Sequence, residues 1–245
     1  MPKQKQTKPD KIMAILDTEE TLANAIRRNA NNIPVLAIEE VEIHKNDSAL
    51  YDEVLAHRLG LIPLKDIRKI NDKKSCTCKG KGCKKCQLQL SLKAKGPCTV
   101  YSGDIKGDVE VVYDKMPIVI LDKEQELEML CFAELGKGKD HAKFSPGLVY
   151  YRNMSEIKIK DKQNAQEIIK KLGESIISKG EIIKCVEDAD YIESLPESGD
   201  ILEVNSGKEL VFFIESWGQM PAKQIFSEAV KVLNKDLKEV VKAIK

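Results

Sequence analysis

Apolar residues recur along the chain with two periods, and the changes of period outline its elements. Residues 11–16 read as a short strand, and Asp17-Thr18-Glu19-Glu20 supplies a polar cap with acids in a first helical turn. Leu22, Ala25 and Ile26 follow at helical spacing, to a stop near residues 29–32 ahead of Pro34. The β-branched stretch 35–44 predicts a strand. Leu50, Val54, Leu55 and Leu59 return to helical spacing, and Gly60 is placed to end that helix. Strict alternation then takes over. In 87–95, Leu88, Leu90, Leu92 and Ala94 share one face, and in 127–135 Leu127, Met129, Cys131, Ala133 and Leu135 do the same. Such alternation marks half-buried strands of an antiparallel sheet. Further strands are expected at 109–113 and 118–121, and a turn at Ser145-Pro146-Gly147.

Beyond residue 151 the texture changes. Ile157 and Ile159 suggest a strand, and 165–177 carries a helical apolar pattern. The unbroken apolar run in 210–215 predicts a strand buried on both faces. Pro221 stands where a first helical residue is favoured. From there Ile225, Ala229, Val232, Leu233, Leu237, Val240, Val241 and Ile244 trace one stripe to the end of the chain. Such a helix is roughly 35 Å long, more than a small sheet needs for cover.

With 245 residues, 42% of them hydrophobic, the chain can build one large domain or two modest ones. Lys and Arg total 40 against 39 Asp and Glu, a balance that argues against non-specific binding to a phosphate backbone as the main task. No apolar run reaches the roughly 20 residues of a membrane span. The polar first ten residues lack the apolar core of a secretory signal. Seven cysteines, four of them within residues 76–86, do not suit a disulfide framework, so a reduced, cytoplasmic protein is expected.

The loop Cys76-Thr-Cys78-Lys-Gly-Lys-Gly-Cys83-Lys-Lys-Cys86 pairs its cysteines as C-x-C-x4-C-x2-C. Four thiolates on a glycine-containing turn can converge on one tetrahedral ion, and a full set of protein ligands leaves no open position for chemistry. A single structural zinc is therefore expected, its thiolate charge offset by Lys79, Lys81, Lys84 and Lys85. Two other readings compete: a floppy loop with free thiols, and an iron–sulfur cluster, which the spacing fits poorly. Cys98, Cys131 and Cys185 read as ordinary packing or surface residues.

Catalytic candidates are sparse. Glu53 and His57 stand four apart on a helix, where a surface ion pair is the expected reading over an acid–base pair. His141 follows the Gly- and Lys-rich stretch 136–140, which lacks the glycines of a dinucleotide or phosphate loop and reads as a basic surface turn. On residues alone, a free-standing zinc-ribbon module that binds nucleic acid through its Lys-rich loops stays in competition with a scaffold.

Six stretches carry a resemblance: Leu22-Ala-Asn-Ala-Ile-Arg-Arg28 and Pro34-Val-Leu-Ala-Ile38, the long run from Asn46 to Leu64, and Tyr101-Ser-Gly-Asp104, Gly138–Pro146 and Phe213-Ile-Glu-Ser-Trp-Gly218. In these the chain closely resembles the D-subunit family of archaeal DNA-directed RNA polymerases. That family is related to the third-largest subunit of eukaryotic RNA polymerase II and to the N-terminal domain of the bacterial alpha subunit. The resemblance implies an α+β fold: a discontinuous α/β dimerisation domain (1–47 and 152–245) with an inserted, mainly antiparallel β domain (48–151) that carries the cysteine loop. It implies a non-catalytic assembly subunit of a nucleotidyltransferase complex. Its partners would be subunit L in a heterodimer, then the second-largest subunit and small subunits N and P, with no direct specific nucleic-acid contact and no membrane. By the same resemblance Leu22, Ile26, Arg27 and Arg28, with Ile225, Ala229, Val232, Leu233, Leu237, Val240 and Ile244, form the partner interface. Asp52, Glu53, His57 and Arg58 belong to an assembly surface. Many members hold an iron–sulfur cluster downstream of the insert. Here the stretch from Cys185 to Gly207 has one cysteine, so a cluster is not expected, and the metal is placed in the insert domain.

Overall fold

A computed structural model describes residues 10–65, 70–161, 165–178, 182–187, 189–195 and 201–244; the polar start at 1–9 lies outside them. The chain divides into two compact units. One comprises the described parts of 1–11, 28–148 and 215–245, and the other is formed by 12–27 and 149–214.

The first unit is built on a four-stranded sheet. Strand β2 (Pro34–Asn46) pairs antiparallel with β7 (Glu126–Lys137), which pairs on its other edge with β3 (Gln87–Lys95), and β3 carries the short β5 (Lys106–Gly107). Register explains the alternation seen in the sequence. Leu88 lies opposite Ala133, Leu90 opposite Cys131, Leu92 opposite Met129 and Ala94 opposite Leu127, so the apolar residues of both strands fall on one face. Helix α2 (Asp52–Gly60) closes over this face with Leu55 and Leu59, and a small ribbon of β4 (Cys98–Tyr101) and β6 (Pro117–Leu121) completes the core. On the opposite face, Lys93 meets Glu128 at 2.8 Å, and Glu126 takes Lys45 and Lys95, each at 2.8 Å. Those two lysines, Lys45 foremost, pull the Glu126 carboxyl down to about 2.

The second unit holds a five-stranded sheet in the order β1 (Lys11–Leu16), β11 (Leu202–Ser216), β8 (Gly147–Ile159), β10 (Ile182–Cys185) and β9 (Ile176–Ser178). Helices α3 (Ala165–Leu172) and α4 (Ala189–Glu193) contribute Ile168, Leu172 and Ile192 to its core with Ile157, Ile183 and Cys185. Helix α1 (Glu20–Ala30) starts in this unit and ends in the first. Helix α5 (Ala222–Ile244) belongs to the first unit, where Asp10 Oδ2 accepts from the Ala222 amide at 2.7 Å and so caps it.

Two sequence expectations fail for local reasons. Residues 109–113 form no strand beyond a single bridge between Leu64 and Val111. Pro63 accepts from the Val112 amide at 2.9 Å but has no N–H to return, so no ladder grows there. The helix expected over 165–177 stops at Leu172. Gly173 takes φ +41°, and Ile176–Ser178 turns into a strand against β10. Strand β2 also sits in the first unit's sheet, beside the middle strands.

Truncating Leu92, which is fully buried between β7 and α2's side of the core, is expected to cost about 2–5 kcal/mol. The measure is the urea-unfolding free energy of Leu92→Ala. A carboxylate with a depressed pKa stabilises the fold above its ordinary pKa, and that contribution fades as pH falls from about 4.5 towards about 2. The gap in unfolding midpoint between wild type and Glu126→Gln is therefore expected to be full at neutral pH and to close across that window.

Candidate metal centre

The cysteine loop is stitched by its own backbone. A one-turn 3-10 helix (Lys73–Ser75) leads in, capped by Asp72, whose carboxylate accepts from the Lys74 amide at 2.8 Å. The Lys79 amide donates to the Cys76 carbonyl at 3.0 Å, and the amides of Cys86 and Gln87 both donate to the Cys83 carbonyl at 2.9 Å. Each cysteine pair thus sits on a tight turn. Gly82 adopts φ +83°, a left-handed conformation that strains a residue with a side chain, so the turn favours glycine. The Asn71 amide donates to the Lys85 carbonyl at 2.8 Å and closes the base of the loop where β3 begins.

These turns bring Cys76, Cys78, Cys83 and Cys86 together, with all four sulfurs within 4.8 Å of one another. Cys76 and Cys83 are 3.6 Å apart, Cys78 and Cys86 3.6 Å, and Cys83 and Cys86 3.8 Å. A tetrahedral ion with metal–sulfur bonds of about 2.3 Å requires sulfur–sulfur edges of about 3.8 Å. The cluster can therefore hold one metal ion, and zinc is compatible with it. A polynuclear cluster, which spreads its thiolates over separate irons, needs a wider set.

Without an ion the four thiols are not equivalent. Donation from the Cys78 amide, foremost, lowers the Cys76 thiol to about 6, whereas burial pushes Cys86 up to about 12. A divalent ion must displace protons here that the free loop keeps. Lys79, Lys81, Lys84 and Lys85 stand exposed around the sulfurs. Sequence reasoning missed Lys73, which anchors the loop to the sheet through Glu134 at 2.8 Å and Glu40 at 3.4 Å. Its partners lie on distant strands, so no local signal announced it. The other cysteines stand apart: Cys131 and Cys185 are buried and Cys98 is exposed.

On α2, Asp52 accepts from the Asn46 side-chain amide at 2.7 Å, and Arg58 donates to the Ile118 carbonyl of β6. Glu53 and His57 are both exposed, and the ion pair expected between them does not form among the described residues. His141 is a cap: its Nδ1 accepts from the Lys143 amide at 3.1 Å. Along α1, Leu22 and Arg28 are exposed, Ile26 is buried, and Arg27 donates to Asn24 Oδ1 at 2.9 Å. Along α5, Ile225 and Ala229 are buried and Val232 and Leu233 half-buried, while Leu237 and Val240 are each 54% exposed and Ile244 80%. No helix among the described residues is long and apolar enough to cross a membrane.

Residues 41–148 match the family described as the RNA polymerase Rpb3/RpoA insert domain. The chain is 36% identical to DNA-directed RNA polymerase subunit Rpo3 of Pyrococcus horikoshii, over 91% of this chain and 90% of the relative. It is 36% identical to the subunit Rpo3 of Thermococcus kodakarensis, over 93% and 91%. With the Archaeoglobus fulgidus subunit it shares 31% identity, over 98% and 96%.

Adding zinc to the metal-free protein at neutral pH is expected to release protons, read with a pH indicator in weak buffer. Affinity should fall as pH falls, because protons compete for the thiolates. Replacing one ligand, as in Cys83→Ser, should weaken binding about 100-fold, roughly a quarter of the free energy of a four-ligand structural site, measured by competition with a chelator.

Proposed function

Because the chain belongs to the Rpo3 family of DNA-directed RNA polymerase subunits, we propose that it is a non-catalytic assembly subunit that heterodimerises with subunit L and nucleates binding of the second-largest subunit and of small subunits N and P. The observation that carries this reading is the far end of α5. Leu237, Val240, Val241 and Ile244 recur at i, i+3, i+4 and i+7 and form an apolar stripe on a helix with nothing of this chain to cover it among the described residues. A lone exposed leucine means little, whereas a stripe of this kind marks a surface that a second chain covers. Ile225 and Ala229 anchor the root of the helix in this chain's own core, which leaves the exposed residues for the partner.

In this reading residues 1–47 and 152–245 form the dimerisation domain around an insert at 48–151, and Leu22, Arg27 and Arg28 of α1 extend the interface. The exposed Glu53 and His57 on α2, with Asp52 and Arg58 beside them, face a neighbouring subunit. The four cysteines hold one structural zinc that fixes the insert's loop and takes no part in chemistry. Nucleotidyl transfer belongs to carboxylates and magnesium of the largest subunit, and the work is done in the cytoplasm. A free-standing nucleic-acid module finds no support, since relatives match over more than nine-tenths of this chain and are named as polymerase subunits.

The double substitution Leu237→Asp/Val241→Asp tests the reading. Both side chains are 54% exposed, so the thermal midpoint of the free chain should stay within about 2 °C of wild type, as for ordinary surface changes. Affinity for subunit L should drop by about 30-fold or more, the effect of losing central apolar anchors. An unaltered heterodimer on size exclusion of co-expressed subunits would reject the proposal.

A further inference from the structure

Both ends of the cysteine loop return to a single residue of β7. Gln87 directly follows Cys86 and lies opposite Glu134 in the ladder of β3 with β7. At the other end, Lys73 stands three residues before Cys76, and its Nζ reaches Glu134 Oε2 at 2.8 Å. One end is thus held by backbone register and the other by an ion pair. Glu134 also lies opposite Ala37 of β2, so the tie is made on the middle strand of the three.

This ion pair differs from the other charges of the loop. The Lys73 side chain is 22% exposed and that of Glu134 15%, whereas Lys74, Lys79, Lys81, Lys84 and Lys85 are exposed. Solvent and salt screen a half-buried pair less than an open one. The contact is one of charge: Glu134 Oε2 is buried and has no hydrogen-bond partner among the described residues, so the Lys73 ammonium is what compensates it. Lys73 also reaches Glu40 of β2 at 3.4 Å and so spans two strands.

The two halves of the loop are unequally supported without that pair. Cys83 and Cys86 keep the start of β3 behind them, with the Cys83 carbonyl accepting from the amides of Cys86 and Gln87 at 2.9 Å. Cys76 and Cys78 follow only the one-turn helix that Lys73 begins. The bond from the Asn71 amide to the Lys85 carbonyl joins the loop to itself and not to β7. All four sulfurs nevertheless lie within 4.8 Å of one another. Thiols already gathered lose less freedom when an ion arrives than thiols that must be collected.

We propose that Lys73 and Glu134 are a positioning pair for the metal centre: they fasten the Cys76–Cys78 half of the loop to β7, where β3 already fastens the Cys83–Cys86 half, and so raise the affinity for the ion. The proposal rests on the single-ion reading of the cysteines given above and adds two residues that are not ligands. The coupling is reciprocal, so an ion in the loop strengthens the seating of β3 on β7.

The test uses the full chain stripped of metal, with zinc affinity measured at neutral pH against a chelating indicator. Lys73→Met and Glu134→Met should each weaken zinc binding about tenfold, the lower end of what losing a supporting partner costs a metal site. The double variant should lose no more than either single one, because the two residues act as one. Lys73→Arg keeps the charge and should recover most of the loss. Lys84→Met removes a cation beside Cys83 but no tie to the sheet, and should bind zinc as wild type does. At saturation every variant should give cobalt(II) the absorption of a tetrahedral thiolate site, since all four ligands remain. Wild-type affinity in the double variant, or additive losses, overturns the proposal and leaves the metal reading intact. A wild-type chain that binds neither zinc nor cobalt overturns both. An equal loss in Lys84→Met assigns the effect to the general charge of the loop, and a missing cobalt signature in Lys73→Met shows a displaced ligand; either result overturns the proposal. If a single variant unfolds through the lone charge it leaves buried, the double variant, which leaves none, decides the matter. An unfolded double variant assigns the pair to the sheet alone and overturns the proposal too.

Discussion

Because β7 is bonded to β2 on one edge and to β3 on the other, its register decides which side chains of three strands are buried. A slip of one residue would turn Leu127, Met129, Cys131 and Ala133 to solvent and bring Glu126, Glu128 and Glu134 into the core. The acids of β7 help lock the register by meeting Lys45, Lys93 and Lys95 on the outer face, and Glu134 reaches Lys73 at the entrance to the cysteine loop. The cysteine loop and the sheet are therefore built as one. Cys86 directly precedes β3, so an ion that fixes the cysteines also fixes where β3 starts.

The division of labour among the cysteines follows from the same constraint. A thiol on the inward face of a strand, such as Cys131, is a small apolar filler whose ionisation burial opposes, and its pKa is pushed up to about 11. A thiol on a tight turn is offered amides that stabilise its anion, as Cys76 is by Cys78. Chain geometry, more than residue type, separates a thiol that could hold a metal from a filler.

The parts of the fold legible in the sequence are those where one period governs and both sides of the element are ordinary. β3 and β7 announce themselves by alternation, α5 by its stripe and the cysteine cluster by its spacing. Illegible parts depend on partners far along the chain. Nothing near residues 109–113 says that Pro63 lies opposite, and nothing near 176–178 says that β10 is available to pair with it. The same holds for the sites. Four cysteines can be counted, but Lys73 becomes an anchor only through Glu40 and Glu134. His57 and Glu53 show the converse: helical spacing permits an ion pair, and two solvated side chains gain too little from one to hold it.

The outer half of α5 also bears on the fate of the chain in a cell. A helix that carries Leu237, Val240, Val241 and Ile244 in the open gives the free polypeptide an adhesive end. On the assembly proposed above, copies made in excess of the partner would be exposed to self-association and to proteases, while covered copies would be protected by mass action. The abundance of the chain would then follow the supply of its cover, and surplus copies would be removed without any dedicated regulator.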